Sequence, residues 1–157
     1  VLFANDVATI TGLNGKVFVD RDGQKIELNL GDKLQEKDII LTKDKAKVQI
    51  IFKDETIITI GKNSTFAINE YLFEDNQEPV AKFGMLNGAM RAITGKIGKV
   101  APDKFSVKTK TATMGIRGTN FSILVGEDGS YNAYCTFGAI SVTINRKVNV
   151  MLQDSRR

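Results

Sequence analysis

The chain has 157 residues, with 22 lysines and arginines against 18 aspartates and glutamates, and 42 % of its residues are apolar. One globular domain is the default at this length, and such a chain needs neither disulfides nor a metal for stability. The absence of histidine and the presence of one cysteine exclude serine-type triads, histidine zinc sites and internal disulfides. The net charge of +4 is spread over interleaved signs, so nucleic acid is not an expected partner.

The first residues, Val1 to Ala4, are apolar and end in a small side chain. They fit the remnant of a signal peptide or an ordinary first strand equally well, and both interpretations stay open. We assign residues 1–14 to an N-terminal segment of this kind that includes a first strand. No stretch approaches the ~18 apolar residues of a membrane-spanning helix, so we predict no membrane span in this chain.

Apolar and polar residues alternate with a period of two along most of the chain. This pattern, rich in β-branched residues, predicts half-buried strands in the segments 17–19, 48–52, 65–69, 105–109, 121–125, 131–137 and 140–144. Asp22-Gly23 and Asp128-Gly129 predict hairpin turns, because glycine tolerates the positive φ of a tight turn. The acidic stretch from Tyr71 to Glu78 is predicted to be a loop. Together these elements predict an all-β sandwich, barrel or solenoid.

The sequence offers few candidates for catalytic or metal-binding residues. The adjacent pairs Asp54-Glu55 and Glu74-Asp75 point to opposite faces of a strand, so neither pair forms an acid–base couple. Asp20-Arg-Asp22-Gly23 lacks the acidic residue that a calcium loop needs at its twelfth position. Cys135 has no histidine to activate it, and we predict that it lies in the core. We therefore predict no enzymatic activity, no cofactor and no metal.

The most individual segment runs from Thr109 to Phe121. The glycines on either side of Ile-Arg predict a tight corner or a close backbone contact. Arg117 then has two candidate roles. Its five donors can clamp backbone carbonyls of neighbouring turns, which the predicted corner favours, or they can receive a carboxylate or phosphate of a partner. The candidate structural or partner-contact motif is Gly115, Arg117, Gly118, Thr119 and Phe121.

This motif resembles the Val-Arg-Gly-Thr-x-Phe signature of the FecR domain family, which is named after the ferric-citrate regulator. Further segments resemble the pattern of that family in the same order: Leu30–Asp32, Asp38–Thr42, Ala46–Asp54, Leu86–Arg91, Phe105–Ala112 and Phe137–Val142. The resemblance covers roughly Gly15 to Val142. It implies an extracytoplasmic all-β domain of short antiparallel strands with little helix, similar to a twisted β-helix or solenoid-like sandwich.

On this basis we expect a FecR-like β domain over residues 15–145, followed by a C-terminal strand and tail over residues 146–157. The resemblance implies a periplasmic or secreted location and supplies no catalytic residues. The expected function is non-enzymatic contact with a protein partner in surface sensing, signalling or scaffold assembly. The partner and the oligomeric state are left open by the sequence.

Two alternative functions stay open. One is a carbohydrate or cell-wall binding module, for which Tyr71, Tyr131 and Tyr134 are the candidate platforms. The other is implied by the resemblance: the periplasmic part of an anti-sigma regulator that relays signals from a siderophore transporter.

Overall fold

The computed structural model describes residues 6–144 and 147–152, and of Thr119, Phe137 and the last strand it describes the backbone alone. Within these residues the chain forms thirteen strands, one short helix and a 3₁₀ turn at Pro102–Lys104. The elements are β1 (Asp6–Asn14), β2 (Val17–Arg21), β3 (Gln24–Glu27), β4 (Lys33–Gln35), β5 (Ile39–Thr42), β6 (Lys47–Phe52), β7 (Ile57–Ile60), β8 (Thr65–Leu72), β9 (Val80–Ile93), α1 (Lys96–Val100), β10 (Phe105–Lys108), β11 (Ala112–Val125), β12 (Tyr131–Ile144) and β13 (Lys147–Leu152).

All the strands belong to one sheet, which has two halves that share the long strands β9, β11 and β12. Residues 80–87 of β9 lie between β8 and β10, whereas residues 88–93 lie between β7 and β11. We call the two parts the β8 half, which also holds β2, β3, β5, β10 and β13, and the β7 half, which also holds β1, β4 and β6. The long strands therefore carry the chain from one half of the sheet into the other.

Each long strand exchanges its buried side at one point. In β11 the buried residues are even-numbered before Gly118 and odd-numbered after it, from Ile116 to Phe121. In β12 the change lies around Gly138, which pairs with Gly118 and has a φ of 150°. A Cβ on Gly138 would lie 1.6 Å from the carbonyl oxygen of Arg117, so only glycine fits there. In β9 the change lies near Gly88 (φ 102°), and these glycines let the sheet curl over its own core.

The core lies between the two halves and is largely aromatic. Phe52 of the β7 half contacts Phe83 of the β8 half with ring centroids 5.0 Å apart. Phe105 continues the chain of rings toward Phe121, which it meets edge to face at 5.9 Å. Edge-to-face and tilted pairs of this kind add to the burial of apolar area, because ring edges and faces carry opposite partial charges. The core therefore joins the two halves into one folded unit.

The all-β prediction is confirmed, and the sheet is mostly antiparallel, with one parallel pairing between β9 and β10. Three strands of 14 residues are longer than the short strands predicted. The predicted hairpins form, with Asp22 (φ 54°) and Gly23 (φ 80°) joining β2 to β3. The predicted loop at Tyr71 is wrong at its start, because β8 continues to Leu72 and buries Tyr71 in the core.

The first and last described strands, β1 and β13, both pair with other strands of the sheet. Strand β1 pairs with β4 and β6, so residues 6–14 belong to the same sheet as the predicted main domain. Strand β13 pairs with β12 over residues 147–152. The apolar residues Val1 to Ala4, to which the signal-peptide interpretation applied, lie outside the described residues, as does the tail after residue 152.

Candidate functional site

The exposed part of the predicted motif lines a groove of about 440 Å³ on the outside of the β8 half. Arg117 of β11 is exposed at one side of this groove. Small hydroxyl side chains from β10, β11 and β12 line part of it, and apolar residues line another part: Ser106, Thr113, Ser141 and Thr143, with Pro102, Phe105, Ile116 and Ala139. The wall also holds one carboxylate, Asp103. The sheet therefore presents an arginine among short polar side chains on a rigid strand surface.

The structure separates the five motif residues into distinct roles. Gly115 leaves room for Ser141, whose Oγ would lie 2.9 Å from a Cβ at this position and donates a hydrogen bond to the Gly115 carbonyl at 3.3 Å. Gly118 lies at the crossing with Gly138, and its carbonyl accepts a hydrogen bond from the Thr94 hydroxyl at 2.9 Å. Phe121 is buried in the core, so it takes no part in the groove.

The tight corner that the sequence predicted at this motif is not a turn between strands. The strand β11 runs through Gly115 and Gly118 without a break, and Thr119 lies on the same strand with its side chain outside the described set. The change of buried side at Gly118 is nevertheless a close backbone contact of the kind the glycines predicted. The side chain of Arg117 makes no hydrogen bond or ion pair with the described residues, so the carbonyl bonds of a clamp are not formed there.

A buried carboxylate that the sequence analysis considered only as half of the Asp54-Glu55 pair lies under α1. Asp54 is fully buried, and its carboxylate accepts hydrogen bonds from the Tyr71 hydroxyl at 2.6 Å and the Thr56 hydroxyl at 2.8 Å. The backbone N–H of Ile97, in the first turn of α1, donates to the same carboxylate at 3.0 Å. Asp-x-Thr is a local signal for such a turn, because a carboxylate readily accepts from the backbone two residues later.

This network explains the environment of Tyr71. Burial raises the pKa of the Tyr71 hydroxyl, and the hydrogen bond to the Asp54 carboxylate raises it further because the phenolate would face a negative charge. All the polar groups of the network are paired with one another. Asp54 therefore anchors the β6–β7 turn to α1, which is a structural role.

A second buried carboxylate, Asp38, is paired with Arg21. Nε and Nη2 of Arg21 donate to the two carboxylate oxygens at 2.9 and 2.7 Å, in a bidentate pair. The same carboxylate accepts from the backbone N–H of Gln35 at 2.8 Å. The pKa of Arg21 is raised by this hydrogen bond. Asp38 and Asp54 thus accept their hydrogen bonds inside the fold, where both are buried.

The chain was compared with known protein families. The family model described as FecR protein matches residues 38–141 of the chain. The chain belongs to the FecR family. In this FecR domain the matched region begins at the buried Asp38 and includes Asp54, the glycine crossing and Arg117.

A solved structure described as a cell surface anchoring domain is similar to 39 % of the FecR domain chain and 82 % of its own chain, at 37 % identity and a TM-score of 0.38. No curated protein matches the chain.

Other predicted features of the FecR domain are placed as follows. Cys135 is buried, as predicted. Of the three tyrosines considered as sugar platforms, Tyr71 is in the core and Tyr134 is 47 % exposed. In the described part of the chain, no helix is long and apolar enough to cross a membrane. The described residues also hold no group of three or more cysteine or carboxylate side chains arranged to bind a metal.

Proposed function

We propose that this FecR domain works outside the cytoplasm as a non-enzymatic protein-binding module, and that the groove beside Arg117 contacts the partner. The observation that carries the proposal is the state of Arg117. It is a charged side chain in the family-matched region, exposed on a regular strand, and it has no hydrogen-bond or ion-pair partner among the described residues.

The surroundings of Arg117 support a contact role. Strand β11 pairs with β12 at Arg117 itself and with β10 as far as Gly115, so the arginine stands on a backbone that strand pairing holds in place. A guanidinium presents its donors in a planar fork that matches a carboxylate in two parallel hydrogen bonds. The hydroxyl groups of Ser106 and Ser141 in the same groove supply further polar contacts. A partner that presents a carboxylate would fit this arrangement.

The absence of a catalytic role is supported by the state of the carboxylates. Asp38 and Asp54 are both buried and hydrogen-bonded within the fold, so neither is available to a substrate. The groove holds one acid, Asp103, and no second general acid or base within the described residues. The family is regulatory and non-enzymatic, which agrees with this proposal.

The experiment compares Arg117→Gln with Lys53→Gln, which removes an equal charge from an exposed turn of the β7 half. The immobilised domain and both variants are used to capture proteins from an extract of the cell envelope, and the affinity for each captured protein is then measured. We expect Arg117→Gln to weaken the affinity about tenfold or more, and Lys53→Gln to leave it unchanged. Equal affinity for wild type and Arg117→Gln would refute the role of the groove.

A further inference from the structure

The outside of the β7 half carries a second surface, separate from the Arg117 groove. It consists of the outward side chains of residues 47–51, 57–61, 89–93, 120–124 and 132–136, which we call the outer face. Arg91 lies at its centre, paired in register with Thr59 of β7 on one side and with Ser122 of β11 on the other. Ser122 in turn pairs with Tyr134 of β12. These side chains form one row across four neighbouring strands.

The outer face is positively charged. Its five strand segments contain Lys47 and Arg91 but no aspartate or glutamate. Arg91 is exposed and makes no hydrogen bond or ion pair with the described residues. Cross-strand pairing of an arginine with a carboxylate is the usual way in which a sheet neutralises such a charge. Here the neighbouring positions hold hydroxyl side chains instead, so the guanidinium is left available to a carboxylate from outside.

Apolar side chains surround Arg91 on the outer face. Leu124 is 51 % exposed, Tyr134 is 47 % exposed and Ile93 is 40 % exposed. Grooves of about 560, 320 and 320 Å³ adjoin one another along this face, and each shares lining residues with its neighbour. Arg91 and Tyr134 line two of them. The grooves therefore form one continuous track with a cation beside exposed apolar groups.

The groove floor beside Arg91 also holds an unmet hydrogen-bond acceptor. The Oδ1 atom of Asn120 is buried and has no hydrogen-bond partner among the described residues. Asn120 lines the same groove as Arg91 and Tyr134. Buried side-chain acceptors are nearly always paired, so this one calls for a donor. A carboxylate satisfies Arg91 but has no proton for Asn120, whereas a polypeptide brings both carboxylates and N–H donors.

We infer that the outer face is a binding site for an extended polypeptide segment in which acidic and apolar side chains alternate. A carboxylate of the segment pairs with Arg91, an N–H donates toward Asn120, and the apolar side chains cover Leu124 and Tyr134. Three cations line this face and its grooves, Lys47, Lys62 and Arg91, which are too few for the six to ten phosphate contacts of a typical nucleic-acid site. The site goes beyond the proposed function, because it lies on the other half of the sheet and does not use Arg117.

The probe for this inference is a fluorescently labelled octapeptide of alternating Glu and Val, compared with an otherwise identical peptide of alternating Gln and Val. Binding is measured by fluorescence anisotropy. We expect the Glu peptide to bind at least about tenfold more tightly than the Gln peptide, and Arg91→Gln to abolish that preference. Leu124→Ser should weaken both peptides, because it removes exposed apolar area from the track.

The matched control is Lys108→Gln, which removes an exposed charge from β10 in the other half of the sheet and should leave binding of the Glu peptide unchanged. The inference is overturned if neither peptide binds, if the two bind equally, or if polygalacturonate binds in their place. It is also overturned if Arg117→Gln rather than Arg91→Gln removes the Glu preference, a result that would leave the proposed function standing. Circular dichroism of every variant checks that the exposed substitutions leave the fold intact.

Discussion

The buried carboxylate of Asp54 supports a stability prediction that can be worked out from its contacts. In Asp54→Ala the carboxylate is lost, and its donors keep their positions in a closed interior. The donors that lose their acceptor are the hydroxyls of Tyr71 and Thr56 and the backbone N–H groups of Thr56 and Ile97. Each is bonded to the carboxylate at 2.6 to 3.2 Å, and none of the three residues is exposed to solvent in the native fold.

The size of the effect follows from the cost of orphaned donors. A buried donor without a partner costs about 1–3 kcal/mol, so four of them set an upper range of about 4–12 kcal/mol. Hydroxyl rotation and local relaxation reduce this sum, and we expect the free energy of unfolding to fall by about 3–5 kcal/mol. A domain of this size has a total stability of about 5–15 kcal/mol, so the loss is a large fraction of it.

Urea unfolding followed by circular dichroism measures the change. With a slope of about 2 kcal/mol per molar urea, the midpoint of Asp54→Ala should fall by about 2 M. Asp128→Asn is the control, since Asp128 lies in an exposed turn where its carboxylate bonds only to Ser130. Asp54→Asn keeps the volume and should give an intermediate midpoint if Asp54→Ala does not fold. A midpoint of Asp54→Ala within 0.5 M (about 1 kcal/mol) of the control would contradict an anchoring role for Asp54.

Three further predictions use the same unfolding assay. Gly138→Ala should lose at least about 2 kcal/mol more stability than Gly23→Ala. Both glycines have a positive φ, but the new Cβ would clash with the Arg117 carbonyl at Gly138 and has no atom within 4 Å at Gly23. Equal losses would contradict the close contact between β11 and β12 at Gly138. Arg21→Gln breaks the ion pair with the buried Asp38 and should lower the free energy of unfolding by about 2–3 kcal/mol. Lys16→Gln breaks the exposed pair with Glu27 at 3.6 Å and should lower it by less than about 1 kcal/mol. The reverse order would contradict the role of burial. The raised pKa of Tyr71 means that the unfolded chain loses this proton first, so stability is complete below about pH 10 and falls as the pH rises above it. Tyr71→Phe should therefore show a shallower loss at alkaline pH, and an unchanged slope would contradict this assignment.

Strand positions and hairpins were predictable because they depend on local pattern. The alternation at 48–52 and at 140–144 appears as buried and exposed sides of β6 and β12. The turn at Gly23 was predictable because positive φ is a property of the residue itself. The extension of β8 through Tyr71 was not, because the acidic residues that follow outweighed one tyrosine in the local pattern.

The candidate site was only partly predictable. Arg117 was singled out because it stands between two glycines, but whether the described residues bond to it depends on which groups the sheet brings near it. Arg91 entered the sequence analysis only as the end of the Leu86–Arg91 segment that resembles the family pattern. Its position beside Ser122 follows from the pairing of β9 with β11, whose paired residues are more than 25 positions apart in sequence, and the hairpin of β11 and β12 adds Tyr134.

The two-residue alternation of apolar and polar side chains was enough to predict an all-β domain, and the absence of histidine was enough to exclude histidine-based catalytic and zinc sites. The order of the short motifs indicated the family. The folding of the sheet sets which carboxylates are buried, which arginines lack a bonding partner among the described residues, and which sides of the long strands face the core. The physical reason is that alternation defines two faces of a strand without saying which is buried. At Gly118 and Gly138 the two faces exchange, and only the folded sheet shows that they do.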